Sequence, residues 1–158
     1  MKAASITEIK KELSELEKGE MLDLCLRLSK FKKENKELLS YLLFESFDEA
    51  AFVTKVKNEC DELFEQINRS SYYFIKKSIR KILWNIKKHI RYSNEKTTEA
   101  ELLIYFCQKM RDFEPSLKNS APMKNLFDRQ LDGINKALSS IHEDLRYDYH
   151  ESIESLSL

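Results

Sequence analysis

The chain has 158 residues, with 27 Lys or Arg against 27 Asp or Glu, and therefore no formal net charge at pH 7. A neutral total excludes the strongly basic composition that is typical of a general nucleic-acid binder. Only two glycines and two prolines interrupt a sequence rich in Lys, Glu and Leu, which are good helix formers. We therefore expect one all-α domain over residues 1–150, followed by a frayed acidic tail over 151–158.

The three cysteines indicate a reducing compartment. Cys25, Cys60 and Cys107 are far apart, each lies among apolar residues, and an odd number without a framework pattern does not suit a disulfide-stapled domain. The N-terminal sequence lacks the apolar segment that export requires, and no apolar run approaches the roughly 20 residues of a membrane span. We expect buried structural thiols in a cytoplasmic protein that does not bind membranes.

Three short helices are predicted first. Ser5-x-x-Glu8 is a capping box that begins a helix with a narrow apolar stripe, and Gly19 is predicted to end it. The second helix, about 20–31, and the third, about 35–45, are apolar well beyond one stripe. Such helices are usually covered on more than one side.

The segment EMLDLCLRLSKFKKENKELLSYLLFE, residues 20–45, resembles the helical hairpins of α-solenoids of the armadillo and HEAT kind. It is also similar to small bacterial helical proteins of unknown function. The resemblance rests on leucine spacing over about 40 residues, and it implies an interaction surface without catalytic residues. This resemblance implies that the fold is an α-α superhelix, and the alternative is an irregular helical bundle.

Four longer helices follow, which brings the predicted total to about seven. Capping boxes at Ser46 and Thr98 begin two of them, and a strongly basic helix over about 70–92 lies between those two. The helix after Thr98 is apolar nearly all round and is predicted to end at Glu114, before a proline. Pro122 suits the first turn of the last helix. Short connections between successive helices predict antiparallel neighbours.

The last predicted helix carries a heptad seam with spacing 4-3-4-3-4. Two interpretations remain open, namely packing along a neighbour in the same chain and pairing with a second copy in a weak homodimer. The seam consists of Phe127, Leu131, Ile134, Leu138, Ile141 and Leu145.

Charge is strongly segregated along this neutral chain. Residues 66–94 contain eight Lys or Arg and no Asp or Glu, a net charge of +8. Residues 1–65 carry 11 basic and 15 acidic residues, and residues 95–158 carry 8 and 12, so each flank has a net charge of −4. The neutral total therefore hides a positive centre between two negative flanks.

On a helical wheel, the basic helix has an apolar face of isoleucines with Leu83, opposite a continuous band of cations spanning about 140°. Trp84 lies in the middle of the band and Tyr73 near it. We call this band the basic stripe; it consists of Lys76, Lys77, Arg80, Lys81, Lys87, Lys88 and Arg91.

The acidic flanking helices could cover the basic stripe and bury Trp84, with the lysine and arginine heads reaching solvent. If the stripe is open, it could instead bind nucleic acid through phosphates and stacked bases, or an acidic protein segment. A membrane surface is not expected, because the core needs the apolar face of this helix. The exposure of Trp84 separates the two accounts. The candidate binding residues are Lys76, Arg80, Trp84, Lys87 and Arg91.

No catalytic motif is visible, and neither an enzyme nor a cofactor is expected. The three histidines, His89, His142 and His150, show no metal-ligand spacing of a familiar type, and two isolated glycines cannot form a phosphate-binding loop. A metal site around His142 and His150, with the acidic residues beside them, is the remaining alternative of this kind. The sequence favours a non-catalytic binding or scaffold protein.

Overall fold

The computed structural model describes residues 1–158 and contains eight α-helices and no strand, which confirms the all-α prediction. The count exceeds the predicted seven because the last predicted helix is two helices, separated at residues 140–142. The helices are α1 (Ile6–Ser14), α2 (Lys18–Phe31), α3 (Lys33–Phe44), α4 (Glu49–Glu65), α5 (Tyr72–Ser93), α6 (Lys96–Arg111), α7 (Ala121–Ser139) and α8 (Glu143–Glu154).

Packing groups the chain into two compact units, where the sequence predicts a single domain over 1–150. Unit 1 is Met1–Phe44 and contains α1, α2 and α3, whereas unit 2 is Glu45–Leu158 and contains α4 to α8. The single domain over residues 1–150 therefore stays a prediction.

Unit 1 has almost no core of its own. Helices α1 and α2 have no buried residue, and Tyr41 is the one buried residue of α3, although α2 packs against α3. The prediction that α2 and α3 are covered on more than one side is therefore wrong. Leucine spacing reports the width of an apolar surface, and it does not say whether the same chain covers that surface.

The start of α1 follows the predicted capping box, since Ser5 Oγ accepts from Glu8 N–H and the Glu8 carboxylate accepts from Ser5 N–H. Gly19 does not end this helix and instead lies in the first turn of α2. Glu17 and Glu20 form the capping box that begins α2. These two glutamates, which lie on either side of Gly19, thus set the start of α2.

Helix α6 is the centre of unit 2, because it packs against α4, α5 and α7. Its predicted all-round apolar surface explains this position, since a helix that is apolar on every side is stable only when neighbours surround it. Its large buried side chains are Leu102, Leu103, Ile104, Phe106, Cys107 and Met110.

Polar contacts fix α4 against the other helices. The hydroxyls of Ser93 and Thr98 both donate to Glu49 Oε1 at the start of α4. Thr98 is therefore not the N-cap of α6, which begins earlier, at Lys96. Asp48, and not Ser46, caps α4 by accepting from Ala51 N–H.

Helix α7 uses the heptad seam for packing within the chain. Phe127, Ile134 and Leu138 are buried, and α7 packs along α6. Leu145 lies beyond the break, on α8, and is exposed. This burial supports the interpretation of packing along a neighbour in the same chain, and it does not support the alternative of a weak homodimer through the seam from Phe127 to Leu145.

The predicted frayed tail is partly structured. Helix α8 extends to Glu154, and the side chain of Leu156 is buried.

The three free thiols are predicted to differ sharply in reactivity. Burial raises the pKa of Cys60 and of Cys107 to about 12, so almost no reactive thiolate forms at either residue, whereas Cys25 is half-buried in unit 1. Iodoacetamide at pH 8 should label Cys25 in the native protein and all three thiols in urea, as read by peptide mass spectrometry. Native labelling of Cys60 or Cys107 at a similar rate would contradict the packing of unit 2.

Replacing Gly133 with Ala should stabilise unit 2. A Cβ at this position would lie 3.4 Å from Leu103 Cδ1, which is an ordinary van der Waals distance. Alanine is the better helix former, and we expect the free energy of unfolding to rise by about 0.5–1 kcal/mol. Urea titration followed by circular dichroism measures this, and a decrease would show that α6 and α7 are packed too closely for a methyl group.

Candidate functional site

Helix α5 presents the candidate site, and its ends are capped by its own sequence. The Ser71 hydroxyl accepts from Phe74 N–H at the start, and Asn94, with φ of 60°, ends the helix in the left-handed conformation that asparagine tolerates. The helix predicted over about 70–92 is thus confirmed, with its observed bounds at Tyr72 and Ser93.

The helical wheel predicts the apolar face of α5. In the structure, this face lies against α4 and α6. Ile75 and Ile79 are completely buried, and Ile82 and Ile86 nearly so. Because this face is directed inward, the opposite face of the helix is directed outward.

The five candidate binding residues are accessible. Arg80, Trp84, Lys87 and Arg91 are exposed and Lys76 is half-buried. Trp84 exposes 55% of its surface, which is inconsistent with an indole buried between two helices. The structure therefore brings all five predicted residues onto one accessible face.

Lys88 departs from the predicted stripe. Its side chain is buried, and its Nζ lies 5.7 Å from the ring centre of Trp84 and 6.0 Å from that of Tyr92. An ammonium group over aromatic rings is stabilised by their electron-rich faces. Lys88 thus holds one side of Trp84, and the other six cations make up the accessible part of the basic stripe.

Glu59 of α4 contacts two side chains of α5 that lie outside the basic stripe. Asn85 Nδ2 donates to Glu59 Oε1 at 2.7 Å, and His89 Nε2 lies 3.2 Å from Glu59 Oε2. His89 holds the pKa of Glu59 down at about 2, with Asn85 assisting and burial opposing. The carboxylate nearest the middle of α5 is therefore ionised and already engaged.

Helix α6 engages a second carboxylate of α4. Burial tends to raise the pKa of Asp61, but hydrogen bonds from Lys109 and Tyr105 outweigh it and lower that pKa. The exposed and half-buried cations of the basic stripe form no ion pair with any carboxylate of the chain. For these six cations, the contacts do not support the account in which acidic helices neutralise the stripe.

A groove between α4 and α5 borders Trp84 and encloses about 330 Å³. Leu63, Ile67 and Ile82 supply its apolar surface. Its polar groups come from Gln66, Ser78, Lys81, Asn85 and Glu59. The sequence does not reveal this Trp84 groove, because half of it comes from α4, and only packing brings the two helices together.

The N-terminal turn of α5 adds aromatic groups to the same region. Tyr73 and Phe74 are both exposed, and their rings meet edge to face with centroids 5.4 Å apart. Tyr73 and Trp84 are eleven residues apart, which corresponds to about 16 Å along the helix axis. The sequence indicates Tyr73 near the stripe, whereas only the structure shows that Phe74 is exposed beside it.

The two C-terminal histidines lie apart from this region, on and just before α8. His142 Nδ1 lies 3.4 Å from Asp144, and His150 Nδ1 lies 3.3 Å from Glu154. No group of three or more His, Cys, Asp or Glu side chains is arranged to hold a metal ion. None of the eight helices combines the length and hydropathy that a transmembrane span requires.

Comparison with known proteins does not assign this chain to a family. No family model matches the chain, and no match was found among curated proteins or solved structures. The residues of the face itself are therefore the basis for inferring function.

Quenching of tryptophan fluorescence tests the exposure and charge of this face, since Trp84 is the one tryptophan of the chain. Local positive potential concentrates anions. Iodide should therefore quench Trp84 more strongly than caesium does, relative to the free indole analogue N-acetyltryptophanamide. Joint replacement of Lys76, Arg80, Lys87 and Arg91 by Gln should remove the difference. An emission maximum typical of a buried indole, with weak quenching by both ions, would contradict the observed exposure.

Proposed function

We propose that this chain is a non-catalytic binding protein that holds a single-stranded nucleic acid on the face carrying Lys76, Arg80, Trp84, Lys87 and Arg91. The observation that supports the proposal most directly is the exposed Trp84 on the face that carries Lys76, Arg80, Lys87 and Arg91, four cations that form no ion pair with a carboxylate of the chain. Phosphates would neutralise these cations and release counterions, which is the main source of affinity for nucleic acids.

Exposed aromatic rings favour a nucleic acid over an acidic protein segment. Bases stack on aromatic side chains, whereas a run of Asp and Glu would use only the charges. Tyr73 and Trp84 are spaced along the same helix as the cations, and polar groups such as Gln66 and Asn85 border the Trp84 groove. A flat ring stacked on Trp84 would meet hydrogen-bonding groups at its edge.

The wider setting of this function stays a prediction. The predicted cytoplasmic location rests on the three free thiols, which suit a reducing compartment. The predictions of a bacterial origin and of a superhelical scaffold rest on the resemblance of residues 20–45 alone. The proposed binding needs only the face of α5 and depends on none of these three.

Salt dependence of oligonucleotide binding tests the proposal. With four to five phosphates contacted, log K for a fluorescein-labelled single strand should fall against log salt with a slope of roughly −3. The quadruple Gln variant of Lys76, Arg80, Lys87 and Arg91 should weaken binding and flatten the slope. Trp84→Ala should cost about 1–3 kcal/mol of binding free energy if a base stacks there.

A matched control removes the same number of charges from α7 and the loop that precedes it, in unit 2. Gln at Lys118, Lys124, Arg129 and Lys136, which are all exposed, gives the same net charge as the test variant. We expect this control to bind almost as tightly as the parent protein. Equal losses in the two variants, or binding of poly-glutamate in preference to the oligonucleotide, would overturn the nucleic-acid proposal. Both variants should keep their stability, because exposed charges contribute little to folding.

A further inference from the structure

The Trp84 groove contains one group that phosphate binding does not use, namely the carboxylate of Glu59. It lines the same groove as Lys81, which is a cation of the basic stripe. The Glu59 side chain exposes 44% of its surface, so a ligand in the groove has access to it. Because a carboxylate repels phosphate, the part of a nucleic acid that suits this groove is a base.

Two side chains of α5 hold the Glu59 carboxylate in place. Asn85 Nδ2 donates to Oε1 at 2.7 Å, and His89 Nε2 lies 3.2 Å from Oε2. His89 holds the pKa of Glu59 at about 2, so the carboxylate is ionised at neutral pH. An ionised carboxylate has about four lone-pair sites and no donor. Each oxygen of Glu59 therefore keeps capacity for a further hydrogen bond, and together the two oxygens suit two parallel donors.

The helical repeat of α5 places the other groups around this carboxylate. Trp84 and Asn85 lie three and four residues after Lys81, so each of them is a neighbour of Lys81 on the helix surface. Since Asn85 contacts Glu59, the carboxylate lies beside the same side chains. The groove that they line encloses about 330 Å³, which is within the range of small-ligand sites. It thus combines an indole for stacking, an anionic acceptor and a cationic donor.

Guanine is the base whose edge matches these groups. Its N1–H and its 2-amino group are adjacent donors, and O6 beside them is an acceptor. The two donors suit the two oxygens of a carboxylate, and O6 suits an ammonium group such as that of Lys81. Adenine and cytosine place a lone pair next to their amino group, and a carboxylate repels that lone pair. Thymine and uracil offer a single N–H between two carbonyl groups.

We propose that the Trp84 groove selects guanine, with the base stacked on Trp84, its N1–H and 2-amino group donating to Glu59, and its O6 accepting from Lys81. This inference rests on the proposed binding of single-stranded nucleic acid, and it names the base that the site prefers. The affinity common to all strands comes from the cations of α5, whereas the preference comes from Glu59 on α4. Loss of the preference is therefore measurable separately from loss of binding.

Strands that differ in one base test the selection without any change to the protein. The probe is a short fluorescein-labelled thymine strand whose central base is guanine, adenine, cytosine, thymine, hypoxanthine or 7-deazaguanine. Guanine should bind at least about fivefold more tightly than adenine, cytosine or thymine, as a good bidentate contact provides. Hypoxanthine lacks only the 2-amino group of guanine and should lose most of this advantage. 7-Deazaguanine keeps both donors and O6, and it should bind as guanine does.

Glu59→Gln tests the carboxylate itself. An amide presents one acceptor and one donor, so this variant should bind all the strands with similar affinity and keep the dependence on salt. Glu65→Gln is the matched control and should keep the guanine preference, because Glu65 is exposed at the end of the same helix and does not line the groove. Circular dichroism and urea titration compare the folding of the two variants. If Glu59→Gln is unfolded, the base analogues on the parent protein decide, and full affinity for hypoxanthine would contradict the two-donor contact.

The outcomes separate guanine selection from the proposed function. Equal binding of all the strands by the parent protein would overturn guanine selection and leave salt-dependent binding through the basic stripe intact. A guanine preference that a folded Glu59→Gln variant retains would also overturn it. Binding of none of the strands at low salt would overturn the proposed nucleic-acid function and, with it, this inference.

Discussion

Burial of the apolar face of α5 against α4 and α6 is the constraint on which the candidate site depends. Ile75, Ile79, Ile82 and Ile86 lie within about one quarter of the helix circumference, and all four are buried. Exposing a single isoleucine of this kind costs about 1.5–3 kcal/mol, more than any one surface charge contributes. The rotation of α5 about its axis is therefore set by hydrophobic burial, and the cations opposite must be directed to solvent.

The distribution of carboxylates explains why a neutral chain has a positive face. Glu49, Glu59 and Asp61 all belong to α4, and their partners lie on the sides of α5 and α6 that α4 contacts. The carboxylates of α4 thus form hydrogen bonds and ion pairs with polar side chains close to the core. Lys76, Arg80, Lys87 and Arg91 project away from α4, beyond the reach of these short carboxylate side chains. Net charge sums over the whole chain and conceals this separation.

The two units differ in what stabilises them. Unit 2 surrounds α6 with three helices and buries large side chains such as Phe106, Phe127 and Met110. Unit 1 buries Tyr41 in α3 and leaves most leucines of α2 and α3 accessible. A helical hairpin of this size removes little surface from water by itself, so its stability depends on further contacts.

Local patterns in the sequence determined the helical class, the Ser5 capping box, the end of α5 at Asn94 and the division of α5 into apolar and cationic faces. These features depend on residues within a few turns of one another, so short-range spacing is sufficient to predict them. Boundaries were less predictable where several polar residues compete for the cap, as with Asp48 in place of Ser46 and Glu17 before Gly19. The break after α7 also escaped prediction, since the heptad spacing continues across it.

Only the tertiary structure decided which of the predicted surfaces are covered. The seam residues Phe127, Ile134 and Leu138 and the leucines of α2 are all apolar side chains of amphipathic helices, yet the former are buried against the chain and the latter are not. Lys88 and Arg91 likewise belong to one predicted stripe, but Tyr92 and Trp84 enclose Lys88 alone. The physical reason is that periodicity specifies the direction of a side chain from its own helix. Burial depends on distant helices, whose arrangement follows from the packing of the whole chain.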